Sequence, residues 1–390
     1  MFKYFIVFFV MNCYKNFYKF LPFKFFPIDN RKIVFANYNG LGYGCNPKYI
    51  AEELLAQNTN YKLIWLANLD KHSYKFPKEI KCVEMKSLRG LYELFTAKLW
   101  VDNYHKVSML EKSLNKRKGQ YFIQTWHGSF GIKKIEGDFH ALKSNKGWYQ
   151  NALKNAELQD FLISNSQFED DVYKSAFWNK GKILRLGHPR NDIFFRKNEK
   201  LKQKIFNILG IDLDDKILIY VPTYRQGCAL NNYNIDFDAL KQVLEQKFGG
   251  KWKIVIRLHR NIKLRIDFNN KNFLIDATEY DDVQELLAVS DAAITDYSSC
   301  IFDFMLSKKP AFIYANDITK YNNERGFYYP LEETPFSIAK NNVELINNIK
   351  NFSSKSYIDS VDKFLEQKLS VEDGHASLRV VQLINDLMKG

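Results

Sequence analysis

The residues best equipped for chemistry stand where apolar runs give way to polar loops. In Gln124-Thr125-Trp126-His127-Gly128-Ser129 a histidine leaves a strand-like run beside a glycine, where a backbone can come close to a ligand. An imidazole with a pKa of about 6.5 suits a general base at such a place. A lone histidine is more often a satisfied structural one. In Arg257-Leu258-His259-Arg260, Arg257 and His259 are two apart and share one face of a strand. That cationic pair is costly unless an anion lies between its members.

Three more junctions concentrate polar groups. Leu186-Gly187-His188-Pro189-Arg190-Asn191-Asp192 offers Arg190 as a fork for phosphate oxygens, or Asn191-Asp192 as an ordinary helix cap. Val221-Pro222-Thr223-Tyr224-Arg225 ends another apolar run. The run from Ala293 through Asp296, Ser298, Ser299 and Asp303 reads as a strand, a serine-bearing turn and a helix start. Backbone N–H groups and hydroxyls at a helix start bind anions without a lysine; the same serines also read as a plain N-cap. Asp303 follows Ser299 by one helical turn, where a carboxylate can accept from ribose hydroxyls. Two weaker features read as loops. Gly40-Leu41-Gly42-Tyr43-Gly44 fits neither G-x-G-x-x-G nor a P-loop, and Lys116-Arg117-Lys118 reads first as a solvated turn and second as a polyanion contact.

These junctions need elements that bring them to one place. Strand candidates run at 32–36, 61–67, 80–85, 98–101, 121–125, 161–164 and 182–186, then again at 216–221, 252–258, 272–276, 292–295 and 310–314. Helix candidates lie between them at 47–57, 88–96, 237–247, 283–289 and 300–307. Continuous apolar strands alternating with helices predict parallel sheets covered on both faces. The Lys-rich stretch 196–204 is the natural junction between halves. The expected architecture is α/β, two Rossmann-like domains facing a cleft, at residues 29–200 and 201–390. Ligands of such sheets bind at the carboxyl ends of the strands, where all five junctions fall.

The chain has 390 residues, and 57 Lys+Arg against 44 Asp+Glu leave a net charge of +13. At about 150 residues per domain this length suits two or three domains. Hydrophobic residues at 46% and charged residues at 26% exclude a disordered or collagen-like chain. The five cysteines are scattered and indicate neither a disulfide framework nor a zinc site, which fits a reducing cytoplasm. The positive charge is spread along the chain and no nucleic-acid-binding motif accompanies it, so no nucleic-acid partner is expected. No cofactor is demanded by the sequence, and a Mg²⁺ requirement stays open. Residues 4–11 are apolar but fall short of the roughly 20 needed to span a bilayer. Lysines then alternate with aromatics to residue 26, which suits an interfacial segment over 1–28 on anionic lipid at the cytoplasmic membrane face. The alternative is a first helix packed on the domain.

Taken in order, QTWHGS, GHPRND, VPTYR, RLH and LLAVSDAAITDYSSCIFDFMLSKKPAFIYANDITKYNNERGFYYP resemble the CDP-glycerol glycerophosphotransferase family, the polymerases and primases of teichoic acids and related capsules. NPKYIAEEL near the start and DGHASLRV near the end extend the resemblance over roughly residues 30–385. It implies a glycosyltransferase-B-like fold and a CDP-glycerol or related CDP-alditol donor. It further implies a lipid-linked or glycan acceptor, a phosphodiester product and release of CMP. Carried over by motif, His127 is implied as the base at the acceptor hydroxyl, with Gly128 and Ser129 lining its turn. Arg190, Pro222, Thr223, Arg257, His259, Ser298, Ser299 and Asp303 are implied around the donor, His259 as a second catalytic histidine. Arg225 and Asp296 lie in matching motifs. One departure concerns the acceptor side. The family usually follows its WHG turn with Thr-Pro and soon a Lys pair, whereas here Ser129-Phe130-Gly131-Ile132 precedes Lys133-Lys134, one residue longer. A nucleotide-sugar glycosyltransferase is the alternative with the same architecture.

Overall fold

The apolar runs form strands buried on both faces. A computed structural model describes residues 25–69, 75–104, 116–139, 146–178, 180–223, 234–258 and 271–389. In the first half, β1 (Asp29–Ala36), β2 (Lys62–Ala67), β3 (Lys81–Glu84), β4 (Ala97–Asp102), β5 (Tyr121–Gln124), β6 (Phe161–Ser164) and β7 (Lys182–Arg185) pair in the order β3-β2-β1-β4-β5-β6-β7. In the second half, β8 (Lys216–Val221), β9 (Trp252–Ile256), β10 (Leu274–Asp276), β11 (Ala292–Thr295), β12 (Ala311–Tyr314) and β13 (Ser337–Ala339) pair in the order β10-β9-β8-β11-β12-β13. The pairings in both sheets are parallel.

Alternation along one strand shows why the runs are continuous. Ile33 and Phe35 enter one core layer of the first half while Val34 and Ala36 enter the other. Ile217, Ile219 and Val221 likewise oppose Leu218 and Tyr220 in the second. With period-two side chains and helices on both faces, the runs Ile33 to Ala36 and Ile217 to Val221 are apolar at every position. The edge strand β13 has no such signal, being three residues with an exposed Ser337, and nothing in its composition announces it.

Two boundaries differ from expectation. The Lys-rich stretch is largely the helix Glu199–Leu209, whose Ile205 and Phe206 are fully buried in the second core. The link between halves is therefore only 196–198. The final helix, Ala376–Lys389, does not belong to the second half at all. Its Val380, Val381, Ile384 and Met388 pack with Ile33, Phe35, Ile50 and Leu54 of the first. A division at 200/201 fails there because an amphipathic helix docks wherever a complementary apolar face is open. Of the interfacial segment proposed over 1–28, residues 1–24 lie outside the described residues. Arg117, in the basic run read as a solvated turn, donates to the Phe26 carbonyl at 2.8 Å and to the Phe95 carbonyl at 3.0 Å. No helix among the described residues is long and apolar enough to cross a membrane.

Candidate active site

Each sheet has a point where strand order reverses, and the crevice beyond it is where such folds bind ligands. In the first sheet that point lies between β1 and β4. Asn103, just after β4, donates through Nδ2 to Asn37 Oδ1 at 2.7 Å and accepts from Tyr38 N at 2.8 Å. These bonds hold its backbone, and its carbonyl oxygen lies 2.8 Å from His127 Nδ1, just past β5. A carbonyl only accepts, so Nδ1 carries the proton, and the neutral ring has its lone pair on Nε2. Trp126, at a φ of 50°, aims the turn. Asn46 stabilises it by donating to the Thr125 and Trp126 carbonyls, each at 3.0 Å. Beside this array Asp102 is buried. Burial pushes its carboxyl up to about 8, against bonds from Tyr104 N and Asn103 N that favour the anion.

In the second sheet the reversal lies between β8 and β11. Arg257, Pro222-Thr223 and Asp296 to Ser299 occupy the carboxyl ends of the adjacent strands β9, β8 and β11. Thr223 N donates to both Asp296 oxygens, at 2.9 and 3.1 Å, and Tyr297 N donates to one of them at 2.6 Å. Arg257 reaches the Tyr280 carbonyl at 3.3 Å. The helix after the serine turn is short, Cys300–Phe304, and continues as a 3-10 turn over Met305–Ser307. That matches the span read from the sequence. Ser298 Oγ accepts from Cys300 N only at 3.5 Å, and Ser299, the cap residue, makes no side-chain cap bond among the described residues.

The two crevices meet. A Cβ on Gly131 would lie 3.4 Å from Ser299 Cβ, and one on Gly128 would lie 3.6 Å from Ser299 Oγ. A cavity of about 300 Å³ opens beside this contact, lined by His127, Ser129, Lys133, Ser299, Arg325 and Tyr328 among others.

Arg190 and Asp303 differ from their sequence-based reading. Arg190 is fully buried and forks onto Asp303, Nε to Oδ2 and Nη2 to Oδ1 at 3.1 Å each, while Nη2 also donates to Ser129 Oγ at 2.8 Å. Gln284 Nε2 donates to the same carboxylate at 3.2 Å. Burial opposes the guanidinium charge, but Asp303 more than compensates and the pKa goes up. Asp303 is thus buried against Arg190 and Gln284, and Arg190 ties the turn at Ser129 to the helix Cys300–Phe304. Asn191 and Asp192 are equally structural. Asn191 Nδ2 donates to Glu372 Oε1 at 2.8 Å, and Asp192 caps the final helix, accepting from Ala376 N and Ser377 N at 2.9 and 2.8 Å.

Comparison with known proteins settles the affiliation. The model of the CDP-glycerol:poly(glycerophosphate) glycerophosphotransferases matches residues 17–386. The chain belongs to that family. It is 32% identical over 375 residues to a teichoic acid glycerol-phosphate transferase of Staphylococcus aureus, covering 92% of this chain and 94% of that one. A teichoic acid poly(glycerol phosphate) polymerase of Staphylococcus epidermidis is also 32% identical, over 381 residues and 93% of this chain, but the chain spans only 51% of that relative. A second such polymerase, from Bacillus subtilis, is spanned over 49% of its length. A solved structure of the wall teichoic acid polymerase TagF superposes with a TM-score of 0.81 at 30% identity, covering 93% of this chain and 90% of that one. The two parallel-sheet domains are glycosyltransferase-B-like.

In this glycerophosphotransferase-family chain, the expected residues fall into three groups. His127, Gly128, Ser129 and Ser299 meet at the cavity; Pro222, Thr223, Arg257, Asp296 and Ser298 gather at the second sheet's strand ends; Arg190 and Asp303 join the two sides from beneath. His259 and Arg225 lie outside the described residues. Sequence reading missed Asn103 and Asn46. Asn103 acts through its main-chain oxygen, which no residue type reveals, whereas the polar pair Asp102-Asn103 ending an otherwise apolar strand was a usable signal.

Proposed function

We propose that the chain transfers glycerol phosphate from CDP-glycerol to a hydroxyl of a lipid-linked or polysaccharide acceptor, releasing CMP, in teichoic-acid or capsule polymer synthesis. The observation carrying this reading is the His127 imidazole, oriented through Nδ1 by the Asn103 carbonyl and facing the Ser299 turn across the cleft. His127 Nε2 takes the proton of the acceptor hydroxyl as that oxygen bonds to the glycerol-bearing phosphorus. The bond from this phosphorus to the bridging oxygen breaks, and CMP leaves with the electron pair. CMP is a good leaving group, so the barrier falls mainly through positioning and positive charge on the developing anions. Arg257, His259, the Thr223 side chain and the Ser298-Ser299 hydroxyls would hold the donor, with Asp296 shaping the β8 and β11 ends through its bonds from Thr223 N. Arg190 and Asp303 keep the two halves in register.

The acceptor is lipid-linked or glycan-borne, and the chain works at the cytoplasmic membrane face, held by its aromatic and basic amino-terminal residues. Flotation with anionic vesicles, comparing the full chain with one starting at Asp29, tests the attachment; equal flotation of both removes it. The reaction is tested by incubating the chain with CDP-glycerol, CDP-ribitol or nucleotide sugars and measuring CMP or nucleotide release, with and without EDTA. Turnover confined to a nucleotide sugar overturns the reading in favour of a glycosyltransferase.

A further inference from the structure

The wall of the cavity opposite His127 is built by both halves. Residues 132–134 and 326–328 form a short antiparallel bridge, with Tyr328 N donating to the Ile132 carbonyl at 2.7 Å and Lys134 N to the Gly326 carbonyl at 3.0 Å. Gly326 makes the turn into it possible, with a φ of 76° and only 3.0 Å between its notional Cβ and Lys134 Cδ. The bridge brings Lys133 and Arg325 to the same cavity as His127. Arg325 lies over the Phe139 ring, its guanidinium carbon 3.9 Å from the centroid. Its Nε is buried and has no hydrogen-bond partner among the described residues. Burial lowers its pKa, offset in part by the Tyr321, Glu136 and Tyr328 side chains. A half-buried guanidinium over an aromatic ring, with a buried Nε donor to spare, matches the paired oxygens of a phosphodiester better than a sugar hydroxyl.

We propose that Arg325, with Lys133, binds the phosphodiester of the acceptor's terminal glycerol phosphate unit while His127 addresses that unit's hydroxyl. The inference rests on the transfer reading above and refines it: the cavity selects chain ends that already carry glycerol phosphate over neutral sugar ends. In such an end the hydroxyl and its own phosphate are one glycerol apart, so a base and an arginine in one cavity can hold both.

The test titrates a short synthetic oligo(glycerol phosphate) into the full chain by calorimetry, with glycerol as the uncharged control, and measures transfer from CDP-glycerol. Arg325→Gln is expected to weaken oligomer binding and raise the acceptor KM about 10- to 100-fold, the usual range for losing a charged hydrogen bond. The CDP-glycerol KM should not move, and Arg325→Lys should fall between. Lys133→Gln, on the other strand of the bridge, should show the same acceptor-only effect and guards against a folding defect at Arg325. Unchanged oligomer binding in both Gln variants, or an equal loss for CDP-glycerol, overturns the proposal. Arg325-dependent oligomer binding by a wild-type chain that turns over no CDP-glycerol would keep the phosphate site and remove the transfer reading instead.

Discussion

At the scale of single residues, the site separates groups that act from groups that hold. His127 is oriented by a main-chain oxygen, so His127→Ala should lower kcat by about 10²–10⁴-fold while leaving the donor KM nearly unchanged. Steady-state kinetics with both substrates saturating decide it: turnover within a few-fold of wild type removes the base role. Arg190 is a holder. Arg190→Met strands Asp303 in a buried setting and should destabilise the fold by about 3–5 kcal/mol, much of it recovered in the Arg190→Met, Asp303→Leu pair. Urea unfolding of the wild type and the two variants measures this, and a stable Arg190→Met with a raised donor KM would return the guanidinium to the donor site. The position of His127 could be singled out from the sequence as a histidine beside a glycine at a strand end, a pattern that a structural histidine shares. The role of Arg190 was not, because phosphate and carboxylate present the same pair of oxygens to a guanidinium and only burial tells them apart.

At the scale of elements, the strands other than β13 were legible to within three residues, since apolar runs buried on both faces leave no ambiguity of face. What the runs hide is the chemistry of their ends. Asp102 closes β4 with one oxygen bonded to two main-chain N–H groups, and burial pushes its pKa up to about 8. The folded state therefore keeps a proton that an unfolded carboxylate loses near pH 4, so this group's favourable contribution is complete at low pH and is lost as pH rises towards 8. The slope is about 1.4 kcal/mol per pH unit at most. Glu372, pushed up to about 7 by burial, acts in the same direction between its unfolded pKa and pH 7. Asp102→Asn keeps the accepting oxygen and removes the titration. The stability of this variant relative to wild type should therefore grow as pH is raised from 5 to 8, followed by urea unfolding at several pH values. A difference independent of pH would mean that Asp102 titrates as an exposed carboxyl does.

At the scale of the molecule, the two halves are joined by more than the 196–198 link. Lys48 on the helix Cys45–Ala56 pairs with Asp282 at 2.8 Å and with Glu285 at 2.5 Å across the cleft, and Tyr49 OH donates to Asp282 at 3.1 Å. The final helix then returns to the first half. None of this could be read from local pattern, because a salt bridge between residues 234 apart and a helix docked on a distant core leave no spacing to find. Asp192 is where these long-range ties can be tested. Its two oxygens accept from Ala376 N and Ser377 N, so Asp192→Ala removes both bonds from the start of the helix Ala376–Lys389. Losing a cap typically costs about 1–2 kcal/mol. Because Val380 and Ile384 lie in one core with Ile33 and Phe35, the loss should spread beyond the helix. Hydrogen exchange in Asp192→Ala is expected to quicken together in 376–389 and in β1, with β8 and β11 unaffected. Faster exchange in the helix alone would show that it rests on the first sheet without supporting it, and faster exchange in β8 as well would mean that the halves unfold as one unit.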